Sequence, residues 1–216
     1  MDEIVRVENI WKKFGKETVL KDVSLRMEAG ELCGIVGRTG SGKTVLMKCI
    51  LGFLRPERGS VTVFGKKIGL DCDFAPKTGM MIETPGFIDT ESGSNNLRYL
   101  LRVRKKQPHI PIGDLMEMVG LDAGSRKSVG KYSLGMRQRL VIAQAIMEEP
   151  ELLVLDEPMN GLDNRGVEEI RSLLLSLRQQ GTGILMASHN PLDIAALCDE
   201  VYEMDAGSLR KQDSAV

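Results

Sequence analysis

The chain is poor in features that several protein classes require. It has no basic excess: 29 lysines and arginines stand against 30 acidic residues, a net charge of −1. A general nucleic-acid binder needs a cationic surface, so no nucleic-acid partner is expected. The four cysteines, Cys33, Cys49, Cys72 and Cys198, show no C-x-x-C spacing. Cys33 and Cys49 fall in apolar stretches and are expected as small core residues in a reducing compartment. No apolar run approaches the roughly 20 residues that a spanning helix requires. The start, Met1-Asp2-Glu3-Ile4, is acidic and lacks the basic start and apolar core of a signal peptide. The expectation is a cytoplasmic protein whose membrane role, if it has one, comes through a partner. No internal repeat or low-complexity segment is found. At 216 residues, 42% of them apolar, the chain can build one large domain or two small ones.

The strongest positive feature is Gly37-Arg38-Thr39-Gly40-Ser41-Gly42-Lys43-Thr44, which fits the phosphate-loop pattern G-x-x-x-x-G-K-[ST] at every fixed position. An apolar run from Leu32 to Val36 precedes it and reads as a buried strand. Thr44 to Leu51 follows and reads as a helix. Glycines let the backbone curl so that successive N–H groups point into one anion-sized hollow at a helix N-terminus. Lys43 would reach the β- and γ-phosphates of a nucleoside triphosphate, and the Thr44 hydroxyl would ligate Mg²⁺.

Around this loop the chain alternates strands and helices. Ile4 to Glu8 and Val19 to Leu25 alternate apolar and polar residues, as strands of a half-exposed antiparallel sheet do, with a turn at Gly15-Lys16. Gly59 to Gly65 and Met80 to Ile82 read as further strands. From about Asn95 to Met147 the pattern turns helical and charged, in three segments: Leu97 to Arg104, ending before Pro108; Ile112 to Val119, closed by Gly120; and a third that includes Leu140 to Ile146. Alternation resumes with a strand at Leu152–Leu155, a helix at Val167–Leu177, a strand at Gly183–Ala187 and a short helix at Pro191–Cys198. A terminal hairpin turns at Ala206-Gly207. The expected fold is α/β, a phosphate-loop NTPase core with a mostly parallel central sheet, an N-terminal antiparallel β subdomain and a helical subdomain insert.

Two further places carry chemistry. Leu152-Leu153-Val154-Leu155 is a fully apolar strand of the kind buried in a parallel sheet, and it ends in Asp156-Glu157. An acid at such a strand tip holds Mg²⁺ in phosphate-loop proteins, which suits Asp156. Glu157, one residue on, could take a proton from an attacking water. Ser188-His189 follows the strand Gly183–Ala187, and His189 there could contact the γ-phosphate and that water. His109, between Pro108 and Ile110, has no such context and is assigned no role.

Tyr132-Ser133-Leu134-Gly135-Met136-Arg137-Gln138-Arg139-Leu140 comes shortly before Leu155-Asp156-Glu157-Pro158. With the phosphate loop and Ser188-His189, this resembles the ATP-binding subunit of ABC transporters, over essentially the whole chain and in the family's motif order. The resemblance implies a single ATP-binding domain over residues 1–216, its helical subdomain at about 88–148. It implies ATP and Mg²⁺ as ligands and a head-to-tail dimer with a second ATP-binding subunit, identical or a close sibling. Each ATP would then lie between the phosphate loop of one subunit and the Ser133 and Gly135 positions of the other. Phe14 matches the aromatic that stacks on adenine, with Val19 beside it in the nucleotide site. Phe14 could equally be a core residue of the small sheet, and Trp11 is a weaker candidate for stacking. Asp163, in Asn160-Gly161-Leu162-Asp163, matches the loop that crosses between the two sites.

The sequence departs from the family pattern in two places. The signature positions that usually carry two adjacent glycines and a glutamine read Leu134, Gly135 and Met136. In Met81-Ile82-Glu83-Thr84-Pro85-Gly86-Phe87, Glu83 stands where most members have a Mg²⁺-ligating glutamine. Glutamate is also a hard oxygen ligand, although Glu83 could be an ordinary surface acid. Both departures are similar to the bacitracin and lantibiotic export or self-immunity branch. The leading expectation is therefore an ATPase that drives export of a peptide antibiotic or related amphiphile. It would work on a membrane-spanning permease at the cytoplasmic face of the membrane. The alternative is a soluble ABC-type ATPase in an assembly process such as iron–sulfur cluster biogenesis.

Overall fold

A computed structural model describes residues 2–83, 86–104 and 110–212. Pro108 and His109 lie outside them, as do Thr84 and Pro85 of the segment after Glu83. Two sheets form the body. The first is antiparallel: β1 (Glu3–Phe14) and β2 (Glu17–Glu28) make a long hairpin, and β4 (Arg58–Val63) and β5 (Lys66–Lys67) extend it in the order β2-β1-β4-β5. Gly15, at φ 58°, makes the tight turn between β1 and β2. Both strands outrun the short alternating stretches read in the sequence. Register shifts interrupt the β1–β2 pairing, for example between Val7 and Ile10, so strict alternation breaks while the strand continues.

The second sheet has six strands in the order β10-β9-β3-β8-β7-β6. These are β3 (Leu32–Val36), β6 (Thr78–Met81), β7 (Leu152–Asp156), β8 (Gly183–Ala187), β9 (Glu200–Asp205) and β10 (Ser208–Lys211). All neighbours pair in parallel except the terminal hairpin of β9 and β10. Between the adjacent strands β6 and β7 the described residues form three α-helices, α2 (Gly93–Val103), α3 (Ile112–Met118) and α4 (Leu134–Ile146), with a short 3-10 turn at Val129–Lys131 before α4. The remaining helices are α1 (Lys43–Leu51), α5 (Asn164–Gln179) and α6 (Pro191–Leu197).

The central strands are apolar throughout because both their faces are covered. In β7, Leu152 and Val154 point into the core shared with the antiparallel sheet and α1, while Leu153 and Leu155 point into the core under α2 to α5. β8 repeats this with Leu185 and Ala187 on one side and Ile184 and Met186 on the other. Cys33 and Cys49 are buried and unpaired, as the sequence suggests. Burial pushes the thiol of Cys49 up to about 12, so it stays protonated. No helix among the described residues is long and apolar enough to cross a membrane.

Parallel register decides where the site lies. Ile35 pairs with Ala187, Asp156 with Ala187, and Met81 with Leu155. The carboxyl ends of β3, β6, β7 and β8 are therefore level on one edge of the sheet, the edge where open α/β sheets bind ligands.

Candidate nucleotide site

The loop after β3 closes tightly. Gly37 has φ 155°, and a Cβ there would lie 2.3 Å from the Met204 carbonyl oxygen and 2.8 Å from Ser41 Oγ. Gly42 has φ 117° and sits against the Val19 carbonyl, where a Cβ would be at 3.1 Å. Arg38, Thr39 and Gly40 form the exposed tip, while Ser41, Gly42 and Lys43 are buried. The Lys43 ammonium folds back over the loop and donates to the carbonyls of Gly37 (2.6 Å) and Arg38 (3.3 Å). It pairs with no carboxylate among the described residues. Ser41 Oγ is buried with no hydrogen-bond partner. A buried cation balanced only by neutral carbonyls, beside an orphaned hydroxyl at a helix N-terminus, suits a phosphate group.

Next to the loop, Thr44 Oγ1 donates to Asp156 Oδ2 at 2.6 Å. The pair presents hydroxyl and carboxylate oxygens, the donor set of a hard divalent cation. Glu83 follows β6 in a left-handed conformation, φ 59°, and forms an ion pair with Lys48. Lys48 lies one helical turn beyond Thr44 on the same face of α1. That i, i+4 spacing is the sequence signal that places a cation beside Thr44.

Glu157 is held by its neighbours. Its backbone is left-handed, φ 53°, a conformation that costs a non-glycine residue about 1–2 kcal/mol. Its N–H donates to the Ala187 carbonyl at 2.9 Å, and its own carbonyl accepts from Gln138 Nε2 at 2.8 Å. Gln138 also donates to the Pro158 carbonyl at 3.1 Å, so α4 fastens the turn after β7. Gln138 stood inside the recognised segment, but its reach back to this turn is a tertiary fact. Glu157 Oε2 lies 2.7 Å from His189 Nδ1 and accepts from the His189 backbone N–H at 3.3 Å. A carboxylate only accepts, so Nδ1 carries the proton of this contact.

Thus Lys43, Thr44, Asp156, Glu157 and His189 come together on one sheet edge. Ser133 and Gly135 lie at the start of α4. Ser133 caps α4 by accepting from the Met136 N–H at 3.2 Å, and its hydrogen bond stays in its own turn. Gly135 lies so close to the Gly161 carbonyl that a Cβ would be 2.9 Å away. Asp163 caps α5 through the Gly166 N–H at 2.8 Å. Phe14 is 48% exposed at the end of β1, not a core residue, and the Lys12 ammonium lies 5.5 Å from its ring centroid. Trp11 is half-buried, and so is Val19 behind the phosphate loop.

A family model described as "ABC transporter" matches residues 20–160. The chain is 37% identical over 213 residues to the uncharacterized ABC transporter ATP-binding protein YybJ of Bacillus subtilis (strain 168), covering 99% of this chain and 98% of that protein. It is 41% identical over 211 residues to the bacitracin transport ATP-binding protein BcrA of Enterococcus faecalis, covering 97% and 68% of the two chains. The fold matches the dimeric structure of MJ0796, a bacterial ABC transporter cassette, with TM-score 0.87 at 23% identity over 99% of this chain and 100% of that one. It also matches a nucleotide-free ATP-binding cassette from an ABC transporter, with TM-score 0.82 at 25% identity over 99% and 92%. The chain belongs to the ABC transporter family as an ATP-binding subunit, and it is an ATPase.

Proposed function

We propose that this chain powers export of a peptide antibiotic or related amphiphile. It would work as one domain, residues 1–216 with a helical subdomain at about 88–148, docked on a separate spanning permease at the cytoplasmic face of the membrane. The observation that carries the ATPase half is the pairing of Thr44 with Asp156 and of Glu157 with His189 on one sheet edge.

Residues 37–44 cradle the triphosphate, and Phe14 and Val19 border the adenine. Thr44, Asp156 and Glu83 would hold Mg²⁺, which neutralises charge on the phosphate oxygens when bound. Glu157 accepts a proton from the attacking water. The water oxygen bonds to the γ-phosphorus, the bond to the ADP oxygen breaks, and ADP and phosphate leave. His189 keeps the Glu157 carboxylate aimed at that water. Ser133 and Gly135 complete the site of a second ATP-binding subunit, and Asp163 links the two sites. The exposed helix start at Ser133, with Leu134 62% exposed, supports this use across an interface.

Glu83 and the Leu134-Gly135-Met136 signature support the peptide-antibiotic branch, as does the 41% identity to a protein named for bacitracin transport. Glu157→Gln should abolish ATP turnover while ATP shifts the protein to a dimer in size-exclusion chromatography. Persistent turnover, or no dimer with either this chain or its sibling subunit, would sink the hydrolytic model. Co-expression with the permease should raise bacterial tolerance of bacitracin or a lantibiotic, and Glu157→Gln should remove that tolerance. Unchanged tolerance across such peptides would overturn the substrate class.

A further inference from the structure

We propose that Arg171, acting through Asp193, is a positioning residue for His189. The inference rests on the reading that His189 and Glu157 serve hydrolysis. The His189 side chain is 68% exposed, so packing does not fix it. Its place depends on the three-residue loop between β8 and α6. Ser188 anchors that loop by donating its N–H to the Ile35 carbonyl at 3.2 Å. The Ser188 hydroxyl accepts from the Asn190 N–H at 3.1 Å and points to Asp193 Oδ2 at 3.5 Å. The Asp193 N–H donates to the Asn190 carbonyl at 3.2 Å. Asp193 thus braces the loop from below.

Asp193 is only 2% exposed. A carboxylate so buried persists only with a partner cation. Arg171 supplies it, with Nη2 2.7 Å from Asp193 Oδ1, while Nη1 donates to Glu168 Oε1 at 2.7 Å. Arg171 Nε is buried without a partner, so its guanidinium fork is engaged by Asp193 at one point only. Arg171 stands midway along α5, the helix that Asp163 caps. The loop is therefore tied to α5 by a buried ion pair. Both contacts of residue 189 with Glu157 Oε2, ring and backbone, depend on where that tie holds the loop.

The test compares Arg171→Lys, Asp193→Asn, and Arg171→Met combined with Asp193→Leu. The combined variant removes both charges and leaves no unpaired buried ion, so it avoids the folding cost that a lone buried charge imposes on the single changes. Steady-state kcat and KM for ATP are measured, with the imidazole ¹H–¹⁵N resonances. The chain has two histidines, so His109→Gln assigns the His189 signal. The expected result is a KM within about twofold and a kcat about tenfold lower, the scale of a sub-ångström misplacement. The His189 resonance moves and that of His109 does not. In a His189→Ala background the combined variant lowers residual turnover no further. An unmoved His189 resonance, a wild-type kcat, or a loss that multiplies with His189→Ala overturns the proposal. Wild-type kcat in His189→Ala alone would instead overturn the reading of the site.

Discussion

Replacing Thr44 with valine removes one hydroxyl and keeps the side-chain shape. Both residues are β-branched, so α1 loses nothing in helix propensity. What goes is the 2.6 Å hydrogen bond to Asp156. A hydrogen bond to a charged group contributes about 1.5–3 kcal/mol, with the larger values where water cannot replace the lost donor. Thr44 and Asp156 are half-buried, so water can reach the carboxylate and the low end applies. The nucleotide-free protein should lose about 1.5 kcal/mol. For a chain of this length that is a fall in Tm of about 3–6 °C. Urea denaturation followed by circular dichroism measures it, with an unchanged slope showing that the folded state is intact. In an Asp156→Ala background the valine substitution should cost little, because the acceptor has already gone. An unchanged midpoint, or an equal loss in that background, would refute the claim that this hydrogen bond joins the phosphate loop to β7.

Gly37→Ala should prevent nucleotide binding and destabilise the apo protein, since its Cβ would lie 2.3 Å from the Met204 carbonyl; ATP-analogue titration and thermal melting check both. Glu83→Ala should raise the Mg²⁺ concentration for half-maximal ATPase several-fold, and an unchanged Mg²⁺ dependence would make Glu83 a surface acid. Lys48→Met breaks an ion pair whose carboxylate side is 66% exposed, so the apo protein should change stability by no more than about 1 kcal/mol in urea titration. Burial, with the charges of Glu200 and Asp199 nearby, raises the Glu31 carboxyl pKa despite the hydrogen bond it accepts from the Glu28 N–H. An acid raised in this way favours the fold when protonated and opposes it once ionised, so its cost appears as pH rises through the folded pKa. Glu31→Gln should therefore raise Tm at pH 7.5, and the gain should vanish below about pH 4, where the glutamate is protonated in both states.

The sequence made the phosphate loop legible because strand, turn and helix are contiguous there, and their chemistry is local. The alternation of strands and helices also survived, since the central strands are apolar on both faces and the helices carry their own caps, such as Ser133 and Asp163. Strand length was less legible in β1 and β2, where bulges break the period that alternation depends on. The expectations at Asp156, Glu157 and His189 rest on each standing at or just past the end of an apolar strand.

Which of these residues touch was decided by the tertiary structure. Thr44 and Asp156 are 112 positions apart, Glu157 and His189 32, and Lys48 and Glu83 35. Parallel pairing levels the strand ends and brings all of them to one edge. Gln138 under Glu157 and Arg171 beneath the histidine loop carry no local signal, because their partners are set by helix packing. The sequence by itself determined that this protein binds a triphosphate and which chemistry each motif can offer. The register of four parallel strands, a long-range property, brought Lys43, Thr44, Asp156, Glu157 and His189 to one sheet edge.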